Sequence, residues 1–464
     1  MPPSGKPPMP TRDEQMRMLS LYFQHVHPVF PILYKSHFLA RALDRTQPGV
    51  PALMSAVFAA ASTYLVREAR TKGDLAQVRM QMYTHFQRAK MYLEEQYTCN
   101  TIASIQTLLL MSIYEQGTMS TRSWLYSGMA IRKAYDLGLH RDVGLPRHGG
   151  LAAISQPDTQ IRQRAWWGCY VMDIMVSATL GRPTTIRDFT FDTPYPDDYG
   201  GDDDELLVNL PAAAAPAEKR RAHGAYYLDL LHIFGHILTE MYTCKPHSSY
   251  VARFCLQDLH SQTDQLVLLD NELREWAAAL PPELQYPIDD MLAARPARCV
   301  YVALLHLVYN TAMILLHRPF IARIDAPPAA DARGGSGSPS PLPSHSICTM
   351  SAQMISQIGQ AFVRDSQVVI MPFLTFMMFT AGTMHLNNIL VSADGATARR
   401  FLKRTLDVMS CLGAHWQVSY KCYTMLNTLV RTNRIVFDPV VDSTEAELQA
   451  IKSRAQVVAQ VARD

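Results

Sequence analysis

Apolar residues recur at helical spacing along most of the chain, and clean period-two alternation is rare. The pattern predicts a first helix from near Thr11, with Glu14 three residues on as a capping-box partner, running toward Val26. Pro28 and Pro31 then impose an extended link, and helix resumes around Ser36. Further helices are expected over Ala52–Ala69, Leu75–Glu95, Ile102–Gln116, Thr121–Leu137, Thr159–Leu180, Glu218–Tyr242 and Tyr250–Ala279. Ala297–His317, Ser351–Arg364, Pro372–Leu390 and Thr397–Thr432 complete the set. So pervasive a helical pattern predicts an all-α fold, a multi-helix domain of two packed lobes.

Two breaks organise the chain. Thr193 to Pro216 combines prolines, Gly200-Gly201, an acidic run and an alanine tract, and reads as a loop between lobes. Residues 326–346 lack apolar side chains to bury and read as a disordered linker. The expected division is a disordered proline-rich tail over 1–11, a main domain over 12–325, the linker, and over 347–464 a C-terminal helical part of the same domain or a second lobe.

Length and composition add limits. At 464 residues the chain exceeds the size at which one core stops growing, and its 48% hydrophobic content excludes a largely disordered chain. A net charge of +2 supplies no general pull toward nucleic acid or acidic membranes. Lys219-Arg220-Arg221 and Arg399-Arg400 with Lys403-Arg404 are too short to outweigh solvated helix starts. The opening MPPSGKPPMPT places prolines where a secretory signal needs an apolar run. Ala165–Leu180, interrupted by Asp173, reads as a buried helix and not a membrane span. Eight scattered cysteines read as reduced thiols.

Two segments hold the most information. In RSWLYSGMAIRKAYDLGLHRD, Trp124, Gly128, Ile131 and Tyr135 fall on one helical stripe, with Gly128 allowing close approach of a neighbour. Gly138 sits where a left-handed residue would end that helix, and His140 follows. The next helix, RQRAWWGCYVMDIMVSATLGRP, is apolar nearly all round, carries Trp166, Trp167 and Asp173, and stops at Gly181, Arg182 and Pro183. Beyond it, TTIRDFTFDTPYPDDYG is expected to run extended across helix ends. Asp173 is the single charge in its run and is costly to bury alone; Arg132 is the nominated partner, with Arg141 and His140 as alternatives.

LYFQHVHPVFPILYKSHFL, WLYSGMAIRKAYDLGLHRD and AWWGCYVMDIMVSATLGRPTTIRDFTFDTPYP occur in the order seen in fungal zinc-binuclear-cluster transcription factors. They resemble the middle-homology, xylanolytic-activator-type regulatory domain. LREWAAALPPEL, with Leu273, Trp276, Leu280 and Pro281, and LLHRPFI at Leu315–Ile321 are similar to it too. The resemblance covers roughly Leu19 to Ile321 and, more loosely, the C-terminal helices. It implies a nuclear domain that restrains or licenses an activator in response to a small-molecule effector or a protein partner, either the transcription machinery or another regulator. Members carry six closely spaced cysteines that bind two zinc ions and present a helix to DNA. Here the first cysteine is Cys99, so no cofactor is expected in this chain. DNA would be reached through a module outside it or through a partner.

Other chemistries compete poorly. His232 and His236 lie four apart in LLHIFGHI, but a third ligand is not apparent, and helix-face histidines are favoured. His25 and His27 shape a helix exit. The acidic run Asp197–Glu205 lies among glycines and prolines, which favours a solvated loop over a magnesium site. Leu259, Leu266, Leu273 and Leu280 have heptad spacing, yet Pro281-Pro282 ends the series and a core helix fits better than a coiled coil. No nucleophile elbow, phosphate loop or redox cysteine pair is present. The favoured reading is a transcription-regulatory domain and not an enzyme. A DNA-free co-regulator is second and an all-helical metal-dependent enzyme third. The expected receiving surface is the junction of the Trp124 helix, the Trp166-Trp167 helix and the Gly181–Pro196 segment.

Overall fold

In a computed structural model, residues 7–42, 49–67, 69, 71–95, 99–142, 155–196, 223–242, 259–286, 300–321, 342–364, 372–391 and 395–437 are described. Among them the fold is all-α, with 14 α-helices and no strand. In chain order these are α1 (Arg12–Leu21), α2 (Lys35–Ala42), α3 (Val50–Ser62), α4 (Lys72–Glu95), α5 (Ile102–Gly117), α6 (Arg122–Asp136) and α7 (Gln156–Leu180). They continue with α8 (His223–Tyr242), α9 (Leu259–Ala278), α10 (Val300–His317), α11 (Ser344–Arg364), α12 (Phe373–Val391), α13 (Ala396–Leu412) and α14 (Gln417–Thr432).

Local chemistry sets the helix ends. Thr11 and Glu14 form a reciprocal capping box, with Thr11 N–H donating to Glu14 Oε2 at 2.8 Å. α7 begins at Ser155, whose Oγ caps Asp158 N–H, and ends on Gly181 at φ +62. Arg182 N–H reaches back to the Ser177 carbonyl at 3.1 Å, closing the last turn. The helix expected over Thr397–Thr432 is instead two, α13 and α14, broken at Gly413–Trp416. Trp416 turns inward there and stacks on α5 at Gly117, where an added Cβ would lie 1.9 Å from the indole. Burying that indole outweighs continuing the helix.

α5, α6, α7 and α3 pack on one another, α7 adjoins α8, and α8 gathers α9 and α10. α10 packs on α11, which packs with α12 and α13; α12 returns to α7 and α14 to α5. The buried apolar side chains form one cluster from Met18 to Val430. Val300–Phe320, expected as a helix over Ala297–His317 but not weighed as a span, is long and apolar enough to cross a membrane by length and composition. Its most apolar window is 83% buried in the fold, so it serves as a core helix. Leu266, Leu273 and Leu280 are buried in the same core, the position of a packed amphipathic helix. Of the expected tail, residues 1–6 lie outside the described residues; so do 197–216 of the expected loop, 326–341 of the expected linker and 438–464 of the C-terminal part.

Candidate functional site

The chain leaving α7 runs as an extended strap over residues 182–196, interrupted by one 3-10 turn at Asp188–Thr190. Three helices are stitched to it. At its start, Asp173 of α7 accepts hydrogen bonds from Thr185 N–H and Ile186 N–H, both at 2.7 Å on Oδ2. Asp173 is 2% exposed. Burial pushes its carboxyl up to about 6, against the pull of the two backbone donors and the Thr185 hydroxyl.

This overturns the expected ion pair with Arg132. Arg132 is exposed on α6, and the strap's own backbone supplies the donors. The stripe on α6 is also displaced from its expected register. Ser123, Ser127, Ala130, Ile131 and Ala134 are buried, while Trp124 and Tyr135 are half-buried. A Cβ on Gly128 would meet nothing within 4 Å, so Gly128 faces open space and permits no close helix approach. α6 packs with α5 and α7 while its small residues are buried, and the Trp124 and Tyr135 rings reach the strap.

Along its length the strap meets α6 and α7. Arg182 lies 5.7 Å from the Trp124 ring centroid, and the Pro183 carbonyl accepts from Ser177 Oγ at 3.3 Å. Tyr135 Oη and Thr190 Oγ1 are 2.8 Å apart. Gly138 takes the left-handed conformation, φ +66, and sends the chain past His140, whose carbonyl accepts from Asp192 N–H at 3.0 Å. Thr193 Oγ1 donates to the Leu139 carbonyl at 2.7 Å. Burial, then the charge of Arg141, holds His140 below the usual imidazole range. Trp166 packs edge-on against Tyr135, and Trp167 Nε1–H donates to the Pro194 carbonyl at 2.8 Å.

The far side meets α8, which the sequence reading did not place at this junction. α8 approaches α7 closely at Gly235, where an added Cβ would lie 2.9 Å from Ile174 Cδ1. His232 and His236, one turn apart, face the strap from either side of that glycine. Their ring nitrogens lie 3.2 Å and 2.6 Å from the two oxygens of Asp188. Tyr170 Oη sits 2.9 Å from His232 Nδ1 and donates to Asp188 at 3.3 Å. The His232 ring stands among Trp167, Tyr170, Phe191 and Tyr195, with centroids 4.7–6.4 Å away. Tyr195 Oη then donates to Asp229 of α8 at 2.8 Å.

The electrostatics of this clasp differ from those at Asp173. Burial pushes the Asp188 carboxyl up, but the hydrogen bonds and charges of His232 and His236 outweigh it and hold it well below the usual range. The bond to Asp188 holds His236 above the usual imidazole value, against burial. Both groups stay partly open to water, with side chains 38% and 53% exposed. The i, i+4 histidine spacing was visible in the sequence; their acid was not, because its position depends on how the strap crosses α8. Among the described residues no group of three or more His, Cys, Asp or Glu side chains has the geometry to hold a metal ion. The arrangement can hold and release a strap by protonation or competition.

A family model described as the fungal specific transcription factor domain matches residues 19–278, a span that contains α2 to α9 and the whole strap. An uncharacterized transcriptional regulatory protein of Schizosaccharomyces pombe is 31% identical over 245 residues, 50% of this chain and 36% of the relative. Cutinase transcription factor 1 alpha of Fusarium vanettenii is 25% identical over 432 residues, covering 91% of this chain and 43% of its own length. The nitrogen assimilation transcription factor nit-4 of Neurospora crassa is 24% identical over 449 residues, 91% of this chain and 37% of the relative. The chain thus spans less than half the length of these relatives.

Proposed function

Because the chain belongs to the fungal specific transcription factor domain family and is similar to named transcription factors, we propose that it is a signal-receiving regulatory domain acting in the nucleus. Its receiving element is the strap over residues 182–196. DNA is reached through a zinc-cluster module or a partner, and the output passes to protein partners in the transcription machinery or to another regulator.

The observation that carries this reading is the strap's unequal attachment. Its start is sewn into the core by Asp173, its middle is held at the surface by Asp188 between two histidines, and its last residues are tied again to the turn after α6, to α7 and to α8. An effector shifts such an equilibrium only if it prefers one arrangement. The clasp offers a partly exposed carboxylate and imidazole for such discrimination, and Phe189 beside them is 83% exposed. A large exposed ring next to a polar clasp is the kind of anchor that protein interfaces use.

The test is a reporter assay in fungal nuclei with this chain fused to an unrelated DNA-binding module. The fusion is expected to change output relative to the module alone, and Asp188→Asn is expected to shift that output further at equal protein level. Output indistinguishable from the module alone would remove the regulatory reading. Output that responds to the chain but not to Asp188→Asn would remove the strap as its receiving element.

A further inference from the structure

Arg88 of α4 is 2% exposed, yet no carboxylate touches it among the described residues. Its guanidinium donates from Nε to the Pro7 carbonyl at 3.0 Å, from Nη2 to the Pro8 carbonyl, and from Nη1 to His85 Nδ1 at 2.8 Å. Buried charges are ordinarily matched by an opposite charge. Here three neutral acceptors take that place, and burial lowers the guanidinium's proton affinity.

His85 sharpens the mismatch. Burial, then the Arg88 charge, pushes its pKa down to about 4, so the ring is neutral near pH 7. Accepting from Arg88 at Nδ1 assigns the imidazole proton to Nε2. That Nε2 is buried without a hydrogen-bond partner, on a side chain 3% exposed. The two side chains together present one uncompensated positive charge and one unused N–H donor, beside the Phe58 ring at 5.7 Å from the imidazole. Glu14, the acid that acts on His85 across space, already serves the Thr11 capping box.

The cover over this pair is slight. Residues 7–10 are held by the Arg88 bonds, by Gln15 Nε2 donating to the Pro10 carbonyl at 2.6 Å, and by Ser55 Oγ at 3.9 Å from Met9 Sδ. Pro8 is exposed, and its neighbours are half-buried. A carboxylate matches the planar guanidinium fork with two charge-assisted bonds, and one of its oxygens can accept from an imidazole N–H.

We propose that Arg88 and His85 form a carboxylate-binding site that residues 7–10 cover, and that a carboxylate-bearing ligand binds by displacing that segment. The carboxylate comes from a small organic acid or from an acidic side chain of a peptide, and the two sources are separated by titration. Full-length protein carrying ¹³C-methyl methionine, with the Met9 signal assigned through Met9→Leu, is titrated with succinate, with a glutamate-rich peptide and with inorganic phosphate.

Either carboxylate source moves the Met9 methyl signal to its free-chain position, and phosphate does not. By calorimetry, a variant lacking residues 1–10 binds the active carboxylate about tenfold more tightly than the full chain, because the competitor is gone. Arg88→Lys weakens binding by about tenfold, since a point charge cannot engage both oxygens. His85→Phe keeps a ring in place and also weakens binding, which tests the site should Arg88→Lys fail to fold. No response to either carboxylate, equal affinity with and without residues 1–10, or phosphate binding as tightly as carboxylate overturns the proposal.

Discussion

Asp173 and Asp188 hold the same strap, yet their surroundings give them opposite behaviour. Asp173 is sealed in the core and receives two backbone N–H groups; its carboxyl is raised to about 6. Asp188 lies partly in water between two imidazoles and is held well below the usual carboxylate range. The first arrangement fixes the strap's exit from α7, because opening it would strand the buried Ile186 donor and a buried acid. In the second, Asp188 and His236 are partly in water, which replaces their mutual bond on opening and lowers its cost. A strap anchored at its start and releasable at its middle can open there without unfolding the domain.

The largest effect is expected at the anchored start. Asp173→Ala leaves Thr185 N–H and Ile186 N–H without acceptors and should cost about 2–4 kcal/mol in denaturant unfolding. Asp173→Asn keeps an acceptor oxygen and should recover much of that loss. Equal, small effects of both would place the anchoring elsewhere. Trp167→Phe keeps the ring but removes the donor to the Pro194 carbonyl; about 1–2 kcal/mol is expected, read in the same experiment. At the clasp, His236→Ala should cost less than about 1 kcal/mol, because both partners are partly solvated and water screens them. A loss there as large as that of Asp173→Ala would erase the distinction between the start and the middle.

Acidity should separate the two attachments by sign. Asp173 has its folded pKa raised from 3.8 to about 6, so its contribution to stability falls as pH rises through that interval and is flat above it. Asp188 is depressed, so its contribution is present above 3.8 and is lost as pH falls below that value. His236 is raised, so its contribution is full below 6.5 and is lost as pH rises through its folded value. The clasp is therefore tightest between those two values and loosens toward alkaline pH. Strap opening in the native protein, followed by exchange corrected for intrinsic rates, should increase from about pH 6 to about pH 8 and lose that increase in His236→Ala.

Local signals in the sequence located most helices because caps act over three or four residues. Thr11 with Glu14, Gly138 and Gly181 carry such signals, and each element ends close to where they place it. What could not be read depends on partners distant in sequence. The partners of Asp173 are backbone amides of Thr185 and Ile186, and nothing in a side-chain pattern advertises a backbone donor. Asp188 meets His232 and His236 more than forty residues on, through a crossing that periodicity does not encode. The break before α14 turns on Trp416 finding Gly117, and the displaced α6 stripe turns on small serines and alanines outcompeting rings for a tight helix contact. Local rules rank residues by type, whereas the folded chain ranks them by the space a neighbour leaves.

The most direct test of an anchored start and a releasable middle is residue-resolved hydrogen exchange on the full chain carrying Asp188→Asn. The account predicts faster exchange for the hydrogen-bonded strap amides of Thr190 and Asp192, with Ile186 N–H and the amides within α7 as protected as in the unsubstituted protein. Equal acceleration at Ile186 and Asp192 would mean that the strap opens as one piece, and would contradict it.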